Sequence, residues 1–271
     1  MLAHGISGTV KWMLDKKGIL FFEPVNGDEG TFADTEDFEQ EWGTYNENIK
    51  QIKSTGKINL AVNSNSLFAG SISLIDIDDL KNWDTSKATD MSSIFADCIS
   101  LTNVDALKNW DTNNVTNMFN MFTGCSSLTN LNGLKNWNTQ NVKYVRGMFS
   151  GCRSLASLDV LKNWNTETIE DMAFMFAQCS SLANIDALKN WNTQDVTNMI
   201  YMFFDCSSLK NIDALRDWNA ENVRDMTDMF AYCSSLTTID ALKSWDVSNV
   251  KTMKKIFQGC SSLRDKSFKK Q

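Results

Sequence analysis

The amino-acid sequence predicts an α/β solenoid, a right-handed coil of short parallel strands and short helices, with a β-hairpin cap at its N-terminal end. Three observations carry this expectation. Trp83, Trp110, Trp137, Trp164, Trp191, Trp218 and Trp245 recur at a constant step of 27 residues. Cys98, Cys125, Cys152, Cys179, Cys206, Cys233 and Cys260 keep the same step, and the register between the two columns never slips. A fixed period of this size is the mark of a repeat architecture in which each unit buries its apolar face on its neighbours.

From the N-terminus, "VKWMLDKKGILFFEP" alternates and then runs apolar around a Lys-Gly turn, which predicts a β-hairpin. Solenoids need their open ends covered, and this hairpin, with Trp42 and Tyr45 after it, is the candidate cap. The division expected is a β-rich capping module over residues 1–57 and a solenoid over 58–271. A faint copy of the unit leads in, because Phe68, Leu74, Ile77 and Leu80 precede Phe95, Leu101, Val104 and Leu107 by one period. The seven cysteine-bearing units are numbered one to seven below, from Cys98 to Cys260.

Within a unit, Met118, Met121, Phe122 and Cys125 fall at i, i+3, i+4 and i+7, the apolar stripe of a two-turn helix. Gly124 and Ser126-Ser127 then suit a tight turn. "SLTNLNG" is expected to follow as a short strand stacked coil on coil. Val115, Val142, Val196, Val223 and Val250 supply another apolar rung and a second candidate strand. The spacing Leu182-x-x-Ile185-x-Ala187 fits the leucine-rich-repeat pattern loosely.

The cysteines sit on an apolar rung, where a free thiol packs as a small apolar residue, and a structural column is the favoured reading. A disulfide ladder is disfavoured by parallel side chains and an odd count, and a metal array by the lack of a Cys-x-x-Cys pair or nearby histidine. Asp78, Asp105, Asp159, Asp186, Asp213 and Asp240 would stack like charges, offset by the basic column Lys81, Lys108, Lys135, Lys162, Lys189, Arg216 and Lys243. Calcium binding by the aspartates is disfavoured, because the glycine-rich nonapeptide of calcium-binding β-rolls is missing.

A formal charge of −7 argues against a broad nucleic-acid surface, and no stretch has the apolar length of a membrane span. His4, the single histidine, falls in an N-terminus expected to be mobile, and the carboxylates form a uniform ladder rather than a pair in unlike environments. No enzyme activity, cofactor or metal is therefore expected.

The phrase "NWNTQDVTNMIYMFFDCSSLKNIDAL", Asn190 to Leu215, resembles the repeats of BspA-like leucine-rich-repeat surface proteins. "SGTVKWMLDKKGILFFEP" resembles the W-x-[IL]-D-x-x-G-x-L hairpin module that often precedes them. The resemblance implies a bacterial surface or secreted protein that binds proteins or adheres to host matrix or neighbouring cells, without catalytic residues to transfer; a monomer is expected. The given chain shows neither a signal nor an anchor, so the location is an expectation from resemblance alone. A structural spacer without a ligand site is the alternative.

Binder and spacer differ at the positions that do not repeat. Between the fixed valine and cysteine columns, Tyr144, Phe174, Ile200, Tyr201, Phe204 and Tyr232 replace small or polar residues in units three to six. They are the candidate partner-binding residues, as an exposed aromatic patch; the competing reading has them cover the coil beneath.

Overall fold

The computed structural model describes residues 1–35 and 41–268; the last residues of the charged tail lie outside them. The cap begins with a three-stranded antiparallel meander of β1 (Ala3–Ser7), β2 (Val10–Leu14) and β3 (Ile19–Pro24). The expected hairpin is its β2–β3 half, turned at Asp15, whose carboxylate accepts from the Lys17 and Ile19 amides. His4 is not in a mobile arm: it pairs with Met13 across the edge strand β1.

Parallel pairing then takes over. β5 (Gln51–Ser54) lies parallel to β3 and bridges to Asp76, while β4 (Glu29–Thr31) pairs with β6 (Lys57–Asn59), which bridges to Asp84. The cap thereby hands its hydrogen-bond ladder to the coils. Trp42, fully buried, packs edge-on against Phe22 at 5.1 Å and Trp12 at 5.8 Å, and its Nε1 donates to the Leu67 carbonyl.

In the coils the strands shrink to single-residue parallel bridges along Asn63, Asp90, Asn117, Tyr144, Asp171, Asn198, Asp225 and Thr252. This ladder follows the valine column, where the second candidate strand was expected. "SLTNLNG" and its equivalents form no strand; they lead into 3-10 turns such as Asp105–Asn109 and Asp186–Leu188. The amide of the first residue of each turn is held by a side chain two positions earlier, as Asn103 Oδ1 holds Asp105 and Asn184 Oδ1 holds Asp186.

The Met-x-x-Met-Phe-x-x-Cys segment is not a helix. Two residues per unit, four apart, take left-handed backbone: Ser93 and Asp97, Asn120 and Gly124, Gly147 and Gly151, Phe174 and Gln178, Tyr201 and Asp205, Asp228 and Tyr232, Lys255 and Gly259. A right-handed helix cannot continue through such residues. Alternate amides instead reach the next coil, from Met118, Asn120, Phe122 and Gly124 to the carbonyls of Tyr144, Arg146, Met148 and Ser150. The amides between them close tight turns within the coil, as Cys125 does on Phe122. The spacing that suggested a helix is real, because Met118, Met121, Phe122 and Cys125 are all fully buried.

Each repeated residue has a stacking task. Phenylalanine rings from Phe68 to Phe257 follow one another at 5.6–5.9 Å. Every thiol donates to the phenylalanine carbonyl one coil back, for example Cys125 to Phe95 at 3.1 Å and Cys179 to Phe149 at 3.2 Å. Thr112, Thr139 and Thr166 hydroxyls donate to the Asn138, Asn165 and Asn192 carbonyls one coil ahead. Tryptophan Nε1 atoms donate to leucine carbonyls one coil back, as Trp191 does to Leu161. Tryptophan rings stack at 6.2–6.4 Å with planes nearly parallel.

One seam interrupts this order. Gly133 replaces the alanine of most units, and a Cβ there would meet the Val104 carbonyl at 1.8 Å, so the turn Asn132–Leu134 sits hard against unit one. Between units two and three a cleft of about 110 Å³ opens among Leu131, Asn132, Ser157 and Asp159. Among the described residues Trp164 Nε1 is the one buried tryptophan nitrogen without a partner, and no ring contact joins Trp137 to Trp164.

Candidate functional site

The left-handed turns line up as two exterior columns whose side chains differ from unit to unit. Glycine, asparagine and aspartate hold such backbone at little cost, whereas a bulky residue there costs about 1–2 kcal/mol. Phe174, Tyr201 and Tyr232 occupy these positions with φ of 59°, 54° and 63°, where units two and three carry glycine at three of four. The chain therefore sets three aromatic rings at the positions where they strain the backbone.

The rings form a continuous rail. Phe174 and Tyr201 stack at 4.8 Å with planes 14° apart. Tyr201 meets Phe204 edge-on at 5.1 Å, and Phe204 meets Tyr232 edge-on at 5.4 Å. Gln258 Nε2 donates to the Tyr232 hydroxyl at 2.7 Å, and the Tyr201 phenol is bonded to the Asp228 carboxylate, which raises its pKa. Phe174, Ile200, Tyr201 and Phe204 are half-buried, and Tyr232 is 43% exposed.

Three members of the candidate set stand otherwise than the helix reading implied. Ile200 and Phe204 do not lie on one helix; Ile200 precedes one left-handed residue and Phe204 precedes the other. Tyr144 lies in the bridge column and makes no ring contact with the rail among the described residues. Its neighbours there, Asn117 and Asp171, accept the amides two residues on with their side chains, a bond a phenol ring cannot reproduce. Tyr144 stands 44% exposed beside the rail's lower end.

A residue that reading of the sequence did not single out completes the rail. The Arg146 guanidinium lies over the outer face of Phe174, 5.0 Å from the ring centre, and reaches Asp171 at 3.8 Å. Its signal is faint in the sequence: a cation directly before Gly147, at the turn where the ring column ends.

Among the described residues no three His, Cys, Asp or Glu side chains converge on a metal-sized site. The thiols are buried, and desolvation pushes Cys125 and Cys179 up to about 12 and the other five upward as well, so they stay protonated and unreactive. The aspartate column heads the 3-10 turns; its members Asp213 and Asp240 pair with Arg216 and Lys243 of their own turns. His4 borders an apolar groove of about 530 Å³ on the outer face of the cap, with Met1, Ile6, Lys11 and Met13.

A family model described as "Mycoplasma protein of unknown function, DUF285" matches residues 62–184 and again 154–270. Among curated proteins none matches the chain. Among solved structures, a leucine-rich repeat protein from Eubacterium ventriosum is 14% identical, covering 95% of this chain and 94% of its own, with a TM-score of 0.38. The Leucine Rich Repeat protein of T. pallidum is 13% identical over 87% of this chain and 90% of its own, with a TM-score of 0.33. One from Bacteroides ovatus is 14% identical over 96% and 81%, with a TM-score of 0.30.

Proposed function

We propose that this chain, which belongs to the family described as Mycoplasma protein of unknown function, DUF285, is a non-catalytic interaction repeat that binds a protein partner along its aromatic rail. The observation that carries the reading is the strain. Folding needs only glycine, asparagine or aspartate at the left-handed turns, and units two and three use them. Phe174, Tyr201 and Tyr232 are costly there and remain partly open to solvent, a combination that marks sites kept for recognition.

Aromatic residues clustered in one patch are also the residues that dominate binding energies. The partner class in this reading is a matrix or cell-surface protein, and the setting is a cell surface. The test is a binding panel of immobilised matrix and cell-surface proteins against the wild-type chain and the double variant Tyr201→Ala, Phe204→Ala. A partner whose affinity falls by about 2 kcal/mol or more, with melting of the chain little changed, supports the reading. A double variant that loses several kcal/mol of stability and keeps its binding shows that the rings are cover for the coil.

A further inference from the structure

The ring column stops abruptly, and what replaces it is a built slot. One coil before Phe174, at the same register, stands Gly147, which carries no ring to continue the column. The slot holds about 250 Å³ and is lined by Phe119, Asn120, Thr123, Arg146, Ser150 and Phe174 around Gly147. A Cβ on Gly147 would meet Asn120 Oδ1 at 2.0 Å, so the Asn120 side chain packs over the glycine and forms that wall of the slot.

We infer that this slot receives a carboxylate side chain, Asp or Glu, from the protein segment that lies along the aromatic rail. The inference rests on the rail reading and adds the chemistry of its lower end. Arg146 is braced face-on by Phe174, which leaves the guanidinium edge free to donate, the arrangement that suits bidentate capture of a carboxylate. Its present anion, Asp171, is 3.8 Å away, longer than a charge-assisted hydrogen bond, and the Arg146 side chain is 40% exposed. The Ser150 hydroxyl and the Asn120 amide border the same space and are able to donate to a second carboxylate oxygen, while the Thr123 hydroxyl donates to the Ser150 carbonyl.

Local charge favours the same occupant. The chain carries −7 overall, yet between its tryptophan corner and cysteine unit three carries Lys143 and Arg146 and no acid. Lys143 is matched by Glu170 at 3.1 Å, which leaves Arg146, loosely faced by Asp171 at 3.8 Å, as the cation that lines the slot. Units four to six, above it, carry Glu167, Glu170, Asp171, Asp195, Asp205, Glu221, Asp225 and Asp228 against Arg224 alone between their tryptophan corner and cysteine. A bound segment with its acid toward unit three and its apolar residues along the rings avoids that repulsion.

The test is selection of a displayed random dodecapeptide library on the intact chain, followed by titration of enriched peptides against wild type, Arg146→Gln, Arg146→Lys and Tyr201→Ala with Phe204→Ala. Arg146→Gln keeps much of the stem over Phe174 and removes the charge; thermal melts of all variants confirm that each is folded. The expected result is a set of peptides that need the rail, share an Asp or Glu beside apolar residues, and bind Arg146→Gln at least tenfold more weakly, with Arg146→Lys between. Rail-dependent peptides that carry no shared acid, or that bind Arg146→Gln as well as wild type, overturn the slot and leave the rail standing. Selection without any peptide weakened by the ring double variant overturns the rail and the slot together.

Discussion

Two sets of columns run through the same turns of this solenoid and follow opposite rules. In the buried columns, a side chain one coil away is its own copy: Phe122 lies 5.8 Å from Phe149, and the Cys152 thiol donates to the Phe122 carbonyl. Any substitution there spoils two interfaces, so the residue type repeats. In the left-handed columns the backbone repeats just as strictly while the residue type does not: Ser93, Asn120, Gly147, Phe174, Tyr201, Asp228 and Lys255 share one conformation. The lesson is that a stacked hydrogen-bond ladder can hold a conformation the local residue disfavours. The residue types of these turns are thereby free to vary.

The largest effect expected from this contrast is alkaline unfolding. Burial raises all seven thiols, so the folded chain keeps protons that the unfolded chain releases once the pH passes the ordinary thiol value near 8.5. Stability is fully present below that value and falls as pH rises toward about 12, where Cys125 and Cys179 titrate when folded. Each buried thiol removes up to about 1.4 kcal/mol per pH unit in that window. Melting should drop steeply between pH 9 and 11, and a thiol reagent at neutral pH should count seven thiols only after denaturation. Rapid native labelling of most thiols breaks the buried half of the comparison.

Next in size is a pair of truncations. Phe176→Ala removes a ring stacked on both sides, at 5.8 Å and 5.6 Å, and should cost about 3–5 kcal/mol by denaturant titration. Tyr201→Ala removes a half-buried ring with its stack on Phe174 and its bond to Asp228, keeps the Cβ and so the strain at φ 54°, and should cost about 1–2 kcal/mol. Equal losses at the two sites would mean that the rail is core.

The seam gives an internal control at a single repeat position. Trp191→Phe deletes the bond from Nε1 to the Leu161 carbonyl and should cost about 1 kcal/mol. Trp164→Phe deletes a buried nitrogen with no partner among the described residues and should be neutral or slightly stabilising. If Trp164→Phe costs as much as Trp191→Phe, the bond to Leu134 exists in solution and the seam closes.

Much of this was legible before any coordinates, and the reason is translational. Residues 27 apart must meet, so the phenylalanine, cysteine and tryptophan columns and the Phe174–Tyr201 contact follow from counting. What failed is local: Met118, Met121, Phe122 and Cys125 have helical spacing, yet two left-handed residues bring the same four side chains inward. The clue lay in Gly124, Gly147, Gly151 and Gly259, with Asn120, Asp97 and Asp205 at equivalent positions, residue types that accept positive φ and recur four apart. Arg146 escaped notice because nothing in the period places a cation over a ring of the next coil. Tyr144 falls between the valine and cysteine columns like the other aromatic residues, but it stands in the bridge column, three residues before the register that carries the rings.

The smallest effect separates strain from contact. Gln178 holds a left-handed turn at φ 59°, in the column where Gly124, Gly151 and Gly259 stand in other units. Gln178→Gly relieves the Cβ crowding of that conformation and should stabilise the chain by up to about 1 kcal/mol, less the added freedom of glycine in the unfolded state. Phe174→Gly relieves the same crowding but also deletes the 4.8 Å stack on Tyr201 and the seat of Arg146, so it should not stabilise. Paired thermal melts read the difference directly. A gain at Phe174 as large as that at Gln178 would show that the ring contacts return nothing to the fold, leaving recognition as the one force that keeps the ring there. A loss at Gln178 would show that the ladder does not impose left-handed backbone on that residue, and the strain argument for the rail would go with it.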